Sequence, residues 1–236
     1  MPYLSWISDE KLLLALKDFA AALSRGDVKN AKDSGRNVID PFATVFTLSF
    51  FGMSHRHWVQ MEEFRKKDKT LTNALGAFHQ QILGSVEGWE NLGQKAVVDL
   101  VNDNRKIIAE LKNKYNTVKG SDKINIYNAL HSCVYDKVSR FRGYKAYYVT
   151  IIPQKPEGIE RPFVPSDNQS GTKPAEDPSI MEIDGKRFYA LVTGSETALE
   201  DLFNVIPNIL TSHHFRLLLD DQSKAVVVQL FHDAFN

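Results

Sequence analysis

Asp99, Glu110 and Lys112 stand in the stretch VVDLVNDNRKIIAELKNKYN (97–116), each set inside an apolar run. A charge amid β-branched residues is costly to bury unless something compensates it. Side chains alternate faces along a strand, so Glu110 and Lys112 point to the same side. Asp99 joins them if the two runs form a hairpin with an even loop. A four-residue loop at 103–106 sets Asp99 opposite Glu110; a two-residue loop at 103 and 104 leaves it one same-face step away. Two carboxylates and an ammonium on one face suit a hard divalent cation. Mg²⁺ prefers oxygen ligands and commonly takes one or two carboxylates together with substrate phosphate oxygens. Such an ion polarises a phosphate and acidifies a bound water, while Lys112 offsets charge developing on the phosphate. The constellation predicts phosphodiester hydrolysis. Asp103 is the rival first acid, but it falls in the turn, where aspartate is expected for local reasons.

The elements that must position these residues are legible in the periodicity. The first 90 residues read as helical. Asp9 and Glu10 open a helix with Leu12, Leu13, Leu16, Phe19 and Leu23 at helical spacing, and Asp40-Pro41 starts another. SHRHWVQMEEFRKKDKT and LTNALGAFHQQIL predict two more helices. From Lys95 the pattern turns strand-like: AVVDLV, a polar turn at NDNRK, then IIAEL. DKINIYNALHSCVYDKVSRFR predicts a long helix that includes Val138 in its apolar face and ends at Gly143, followed by the strand YKAYYVTIIP. Residues 153–178 carry six prolines and little periodicity, which predicts a long functional loop. IMEIDGKRFYALVTG reads as a hairpin turning at Asp184-Gly185, then comes a helix from about Glu196 that Pro207 must bend or end. The last 25 residues fit either a helix or a short strand.

Charge distribution narrows the substrate. The 29 basic and 29 acidic residues cancel, yet residues 105–145 hold ten Lys or Arg against three acids, and residues 146–236 hold seven against thirteen. A neutral total thus hides a basic centre, the asymmetry that presents one face to a polyanion. Asn113, Lys114, Asn116, Thr117 and Lys119 follow Lys112 in a polar loop suited to backbone phosphates. Arg140, Arg142 and Arg161 are candidates for base edges. The single cysteine, Cys133, excludes an internal disulfide framework, and the seven histidines match no structural zinc spacing. Glu87 and Glu90 are candidates for a further acid near the metal. No basic segment leads into a long apolar one at the N-terminus, and no apolar run is long enough to span a bilayer, so a cytoplasmic location without membrane contact is expected.

The segment VDLVNDNRKIIAELKNKYNTVKGSDKINIYNAL resembles the catalytic segment of the PD-(D/E)xK nucleases. The run from IAELKNKYNT to KGSDK, with NVIDPF, FHQQILGSVEGWENLG and YYVTIIPQKP, resembles the Type II restriction endonucleases that cut GGNCC-type sites. This likeness covers roughly residues 37–155. It implies an α/β restriction-endonuclease-like core, a central mixed β-sheet flanked by helices, at 93–236, with a recognition loop at about 153–178. Residues 1–92 would form a helical region for dimerisation and DNA wrapping. It also implies Asp99 and Glu110 as Mg²⁺ ligands with the Leu111 carbonyl, and Lys112 as the catalytic lysine. The expected partners are double-stranded DNA, a second copy in a homodimer, and a DNA methyltransferase acting on the same site. Val98 stands where a proline usually precedes the first aspartate, a departure that leaves the ligands in place. A repair or structure-specific nuclease, and a DNA-binding module with a merely structural hairpin, remain as other readings.

Overall fold

The computed structural model describes residues 2–32, 39–93, 96–118, 120–167, 171–212, 214–217 and 220–235. In chain order the elements are α1 (Asp9–Lys32), α2 (Pro41–Phe50), α3 (His55–Gly84), β1 (Glu90–Asn91), β2 (Leu100–Asn102), β3 (Ile107–Lys114), α4 (Gly120–Tyr135), β4 (Lys145–Ile152), β5 (Glu160–Pro162), β6 (Ile180–Asp184), α5 (Gly185–Thr193), α6 (Ala198–Thr211) and α7 (Asp221–Phe235). They divide into two compact units, one of residues 13–78 and one of residues 1–12 and 79–236.

The smaller unit is helical. Asp40 caps α2, accepting from the Phe42 and Ala43 N–H groups at 2.9 and 3.2 Å, and Pro41 fills the first helical position, where its missing N–H costs nothing. Gly26 lets α1 and α3 approach closely, since a Cβ there would meet Thr70 Cγ2 at 2.4 Å. The two helices expected across 54–83 are one. The KDKT junction holds neither glycine nor proline, and Gly76 alone is too weak a breaker to stop the run.

The larger unit is built on a mixed sheet of order β1-β2-β3-β4-β6-β5. β2 pairs antiparallel with β3 through Leu100↔Ala109 and Asn102↔Ile107, so the turn is the four-residue alternative, 103–106. β3, β4 and β6 run parallel, and β5 adds antiparallel at the edge. On one face α4 closes a core of Ile108, Ala146, Tyr148, Phe163 and Ile180 with Tyr127, Leu130 and Val134. On the other, α5 lays Phe188 against Tyr147 and Trp89, with ring centroids 6.0 and 5.7 Å apart.

Several local expectations change. The loop expected over 153–178 contains β5, whose Pro162 is tolerated because an edge strand has a side without ladder partners. α4 stops at Tyr135, eight residues before Gly143; Gly143 instead donates its N–H back to the Val134 carbonyl, and Val138 is 97% exposed rather than buried. β2 starts at Leu100, so Asp99 precedes the strand. Asp184-Gly185 opens a helix rather than a hairpin, because aspartate serves as readily for an N-cap as for a turn. Its buried carboxylate accepts from the Arg187 N–H and pairs with the Arg187 guanidinium at 2.6 Å. α6 continues through Pro207 to Thr211, and the C-terminal segment is the helix α7.

Gly185 is required by packing: a Cβ there would lie 2.3 Å from the Ile151 carbonyl oxygen, and backbone cannot swing aside. Gly185→Ala is expected to lower stability by about 1–3 kcal/mol, read from the denaturant midpoint.

Candidate active site

The site forms where the β2–β3 ladder runs out. Alternate residues of β3 direct their N–H and C=O groups toward β2, and Ala109 is the last with a strand partner there. One step on, Asp99 substitutes for the missing strand. Its N–H donates to the Ala109 carbonyl at 2.9 Å, and its Oδ2 accepts from the Leu111 N–H at 2.7 Å. The carboxylate is therefore fixed by the backbone of the strand that carries Glu110 and Lys112. Register sets Asp99 beside Glu110, near enough for the Asp99 charge to raise the Glu110 pKa. Lys112 Nζ donates to Glu110 Oε1 at 2.6 Å, its side chain 27% exposed and that of Glu110 17%. Sequence parity brought these three together, and the structure joins them.

Both carboxyls are held above their ordinary range. For Asp99 burial is the main cause, opposed by the Leu111 N–H and the Lys112 charge. For Glu110 burial leads again, and the Asp99 charge adds to it against the Lys112 hydrogen bond and charge. One ammonium does not neutralise two confined acids. Two adjacent carboxylates form a hard oxygen donor pair, the chemistry that suits Mg²⁺. Among the described residues no group of three or more His, Cys, Asp or Glu gathers as a metal site, so a cation here would rest on two acids and other oxygens.

Gln80, near the end of α3, faces the Asp99 carboxyl and favours its charged form. Sequence reasoning missed it; the signal was the polar pair Gln80-Gln81 in an otherwise amphipathic helix end. His79 beside it turns inward, Nδ1 2.8 Å from the Tyr189 hydroxyl, and burial pushes its pKa down to about 4. Glu87 and Glu90 are exposed, and Glu90 sits in β1 opposite Val101.

The candidate DNA contacts separate into groups. Asn113 and Lys114 end β3, and Asn116 and Thr117 follow in a turn closed by the Thr117 N–H on the Lys114 carbonyl at 3.0 Å. Lys119 lies outside the described residues. Arg140 and Arg142 belong to the opposite end of the strand, roughly 20 Å away at about 3.3 Å per residue. Arg140 pairs there with Asp103 at 3.4 Å, and the Tyr144 hydroxyl donates to the same carboxylate at 2.9 Å. Asp103 is thus a turn residue with structural partners. Arg161, on β5, shares the catalytic face and pairs with Glu182.

A mixed sheet whose inner strand carries E-x-K, with an aspartate at its antiparallel neighbour and helices on both faces, has the architecture of the restriction-endonuclease-like nucleases. The family model of the Eco47II restriction endonuclease matches residues 4–213. The chain is 43% identical over 210 residues to the Type II restriction enzyme Eco47II of Escherichia coli, covering 89% of this chain and 87% of that enzyme. It is 30% identical over 212 residues to the Type II restriction enzyme Sau96I of Staphylococcus aureus, covering 87% and 78%. This chain belongs to the Eco47II restriction endonuclease family and is a site-specific restriction endonuclease. No helix among the described residues is long and apolar enough to cross a membrane.

The raised carboxyls tie stability to pH. The folded chain holds protons that the unfolded chain releases above the ordinary carboxylate range. The pair's contribution to stability is therefore fully present below about pH 4 and lost as pH rises through the raised values. Asp99→Asn keeps an acceptor for the Leu111 N–H and removes the repulsion. In chelator at pH 8 it is expected to raise the denaturation midpoint, with the gain vanishing near pH 4, while cleavage is abolished. An unchanged or lowered midpoint at pH 8 contradicts the assignment.

Proposed function

We propose that this enzyme hydrolyses both strands of duplex DNA in a Mg²⁺-dependent reaction at a short palindromic, G·C-rich site of the GGNCC type, with Asp99, Glu110 and Lys112 as the catalytic residues. The observation that carries the reading is the convergence of those three side chains on one face where the β2–β3 ladder ends. Asp99, Glu110 and the Leu111 carbonyl would hold the cation; the N–H and C=O of a strand residue project to the same side, and the Leu111 N–H points to Asp99. When bound, the ion supplies Lewis-acid polarisation of the phosphate and a water acidic enough to serve as nucleophile near neutral pH. Lys112, steadied by Glu110, offers its ammonium to the charge that builds on the phosphate oxygens. Asp99 keeps its position because the Leu111 amide holds it.

Around this centre, Asn113, Lys114, Asn116 and Thr117, with Lys119 on sequence grounds, would hold backbone phosphates, and Arg161, with Arg140 and Arg142 at the far end of the strand, would face the bases. A palindrome calls for two active sites related by a two-fold axis, so the working form is a homodimer. Residues 1–92 would serve dimerisation and DNA wrapping, residues 93–236 would form the nuclease core, and the loop at about 153–178 would aid recognition. The enzyme works in the cytoplasm alongside a DNA methyltransferase that protects the same site, since unprotected host DNA would be cut.

Incubation of the purified protein with unmethylated phage or plasmid DNA, with and without Mg²⁺, tests the proposal. Discrete fragments whose ends map to one palindrome are expected, only with the cation. Asp99→Ala, Glu110→Ala and Lys112→Ala should each lower the rate by about a hundredfold or more, the scale of losing one electrostatic contact to the transition state. Smeared products would favour a nuclease that reads DNA shape, and full activity in all three variants would refute the site.

A further inference from the structure

The parallel register extends the catalytic face across the sheet as a row: Glu110 on β3, Tyr148 on β4, Glu182 on β6 and Arg161 on β5. Directly paired residues share a face, so all four side chains stand on the side that carries Lys112. The far end of this row borders a cavity of about 270 Å³ lined by Lys123, Arg161, Phe163, Pro165, Ser166 and Glu182. Its lining packs on Tyr148: the Phe163 ring stacks on Tyr148 at 4.5 Å and 11°, and Lys123 Nζ lies 5.9 Å from the Tyr148 ring centroid.

Arg161 Nε holds Glu182 Oε1 at 2.5 Å. That bond occupies one of five guanidinium donors, and the Arg161 side chain is 67% exposed. The pair therefore offers a donor fork beside a carboxylate acceptor. Guanine presents two acceptors, O6 and N7, in the major groove, and its paired cytosine presents the N4 donor. A G·C base pair shows the edge complementary to this side-chain pair. A backbone phosphate is the other polyanionic candidate for a cavity with Lys123 and Arg161, but the Glu182 carboxylate in the same wall repels it. Strands lie about 4.8 Å apart, which sets Glu182 about 10 Å and Arg161 about 14 Å from Glu110. With about 3.4 Å per base pair, that is three or four steps from the cleavage centre, within the reach of a short recognition site.

We infer that Arg161 and Glu182 together read one G·C base pair of the recognition sequence, Arg161 donating to guanine and Glu182 accepting from cytosine. This rests on the proposed DNA-cleaving role of the Asp99, Glu110 and Lys112 centre. Neither residue touches the reacting phosphate; they determine specificity.

The test uses the full-length enzyme and duplexes in which each base pair of the mapped site is replaced singly, with rates and salt dependence measured for wild type, Arg161→Ala and Glu182→Gln. Melting temperatures verify folding, and Glu182→Gln preserves shape where a smaller residue would leave a gap. Both variants are expected to lose discrimination by about ten- to a hundredfold at the same single G·C position. Discrimination elsewhere, and the slope of affinity against salt, should hold. Uniform weakening across all duplexes with a shallower salt slope would mark a phosphate contact and overturn the inference, as would unaltered discrimination in both variants. Failure of the wild-type protein to cut any duplex would instead overturn the catalytic reading beneath it.

Discussion

The electrostatic conflict between Asp99 and Glu110 organises the larger unit. Burial raises both carboxyls, the Asp99 charge raises Glu110 further, and Lys112 is a single positive charge set beside two acids. A fold selected for stability alone would replace such a pair with apolar residues of similar volume. Its presence here, in a member of a restriction endonuclease family, fits the catalytic role proposed for it. The backbone makes the arrangement durable: Asp99 is tied to the Leu111 amide at the point where β2 has no further residue to offer.

From that point the sheet distributes labour by register. The antiparallel hairpin delivers the first acid to β3, while the parallel strands β3, β4 and β6 carry the same face outward until β5 closes the edge with Arg161. Tyr148, buried at the centre of this row, separates Glu110 from Glu182 and is itself pushed up to about pKa 12 by burial, so it remains a neutral spacer. The proposed chemistry and the inferred base reading thus fall on one face of the sheet. The opposite face carries no part of this chemistry and is packed with Tyr147, Phe188 and Trp89.

The convergence of Asp99, Glu110 and Lys112 was more legible in the sequence than the scaffold around it. Strand parity and a plausible turn were enough to unite Asp99, Glu110 and Lys112, because those relations are local to one hairpin. Asp184-Gly185 misled for the opposite reason: the same two residues suit a hairpin turn or a helix start, and here Asp184 is an N-cap while Gly185 packs against Ile151 of the neighbouring strand β4. Gln80 and Glu182 were invisible as site residues because they reach the face through helix packing and parallel pairing, which no spacing rule encodes. Val138 looked buried only while α4 was drawn too long.

If Asp99 and Glu110 hold a cation as proposed, its binding displaces protons from their raised carboxyls. Calorimetric titration of Mn²⁺ into the protein, at a pH near 5 and in buffers of different ionisation enthalpy, counts the protons displaced. The account predicts that the wild-type protein releases protons on binding, fewer as pH rises, and that Asp99→Asn both weakens binding and reduces the release. Binding that displaces no protons at any pH, or that is unchanged in Asp99→Asn, would contradict it.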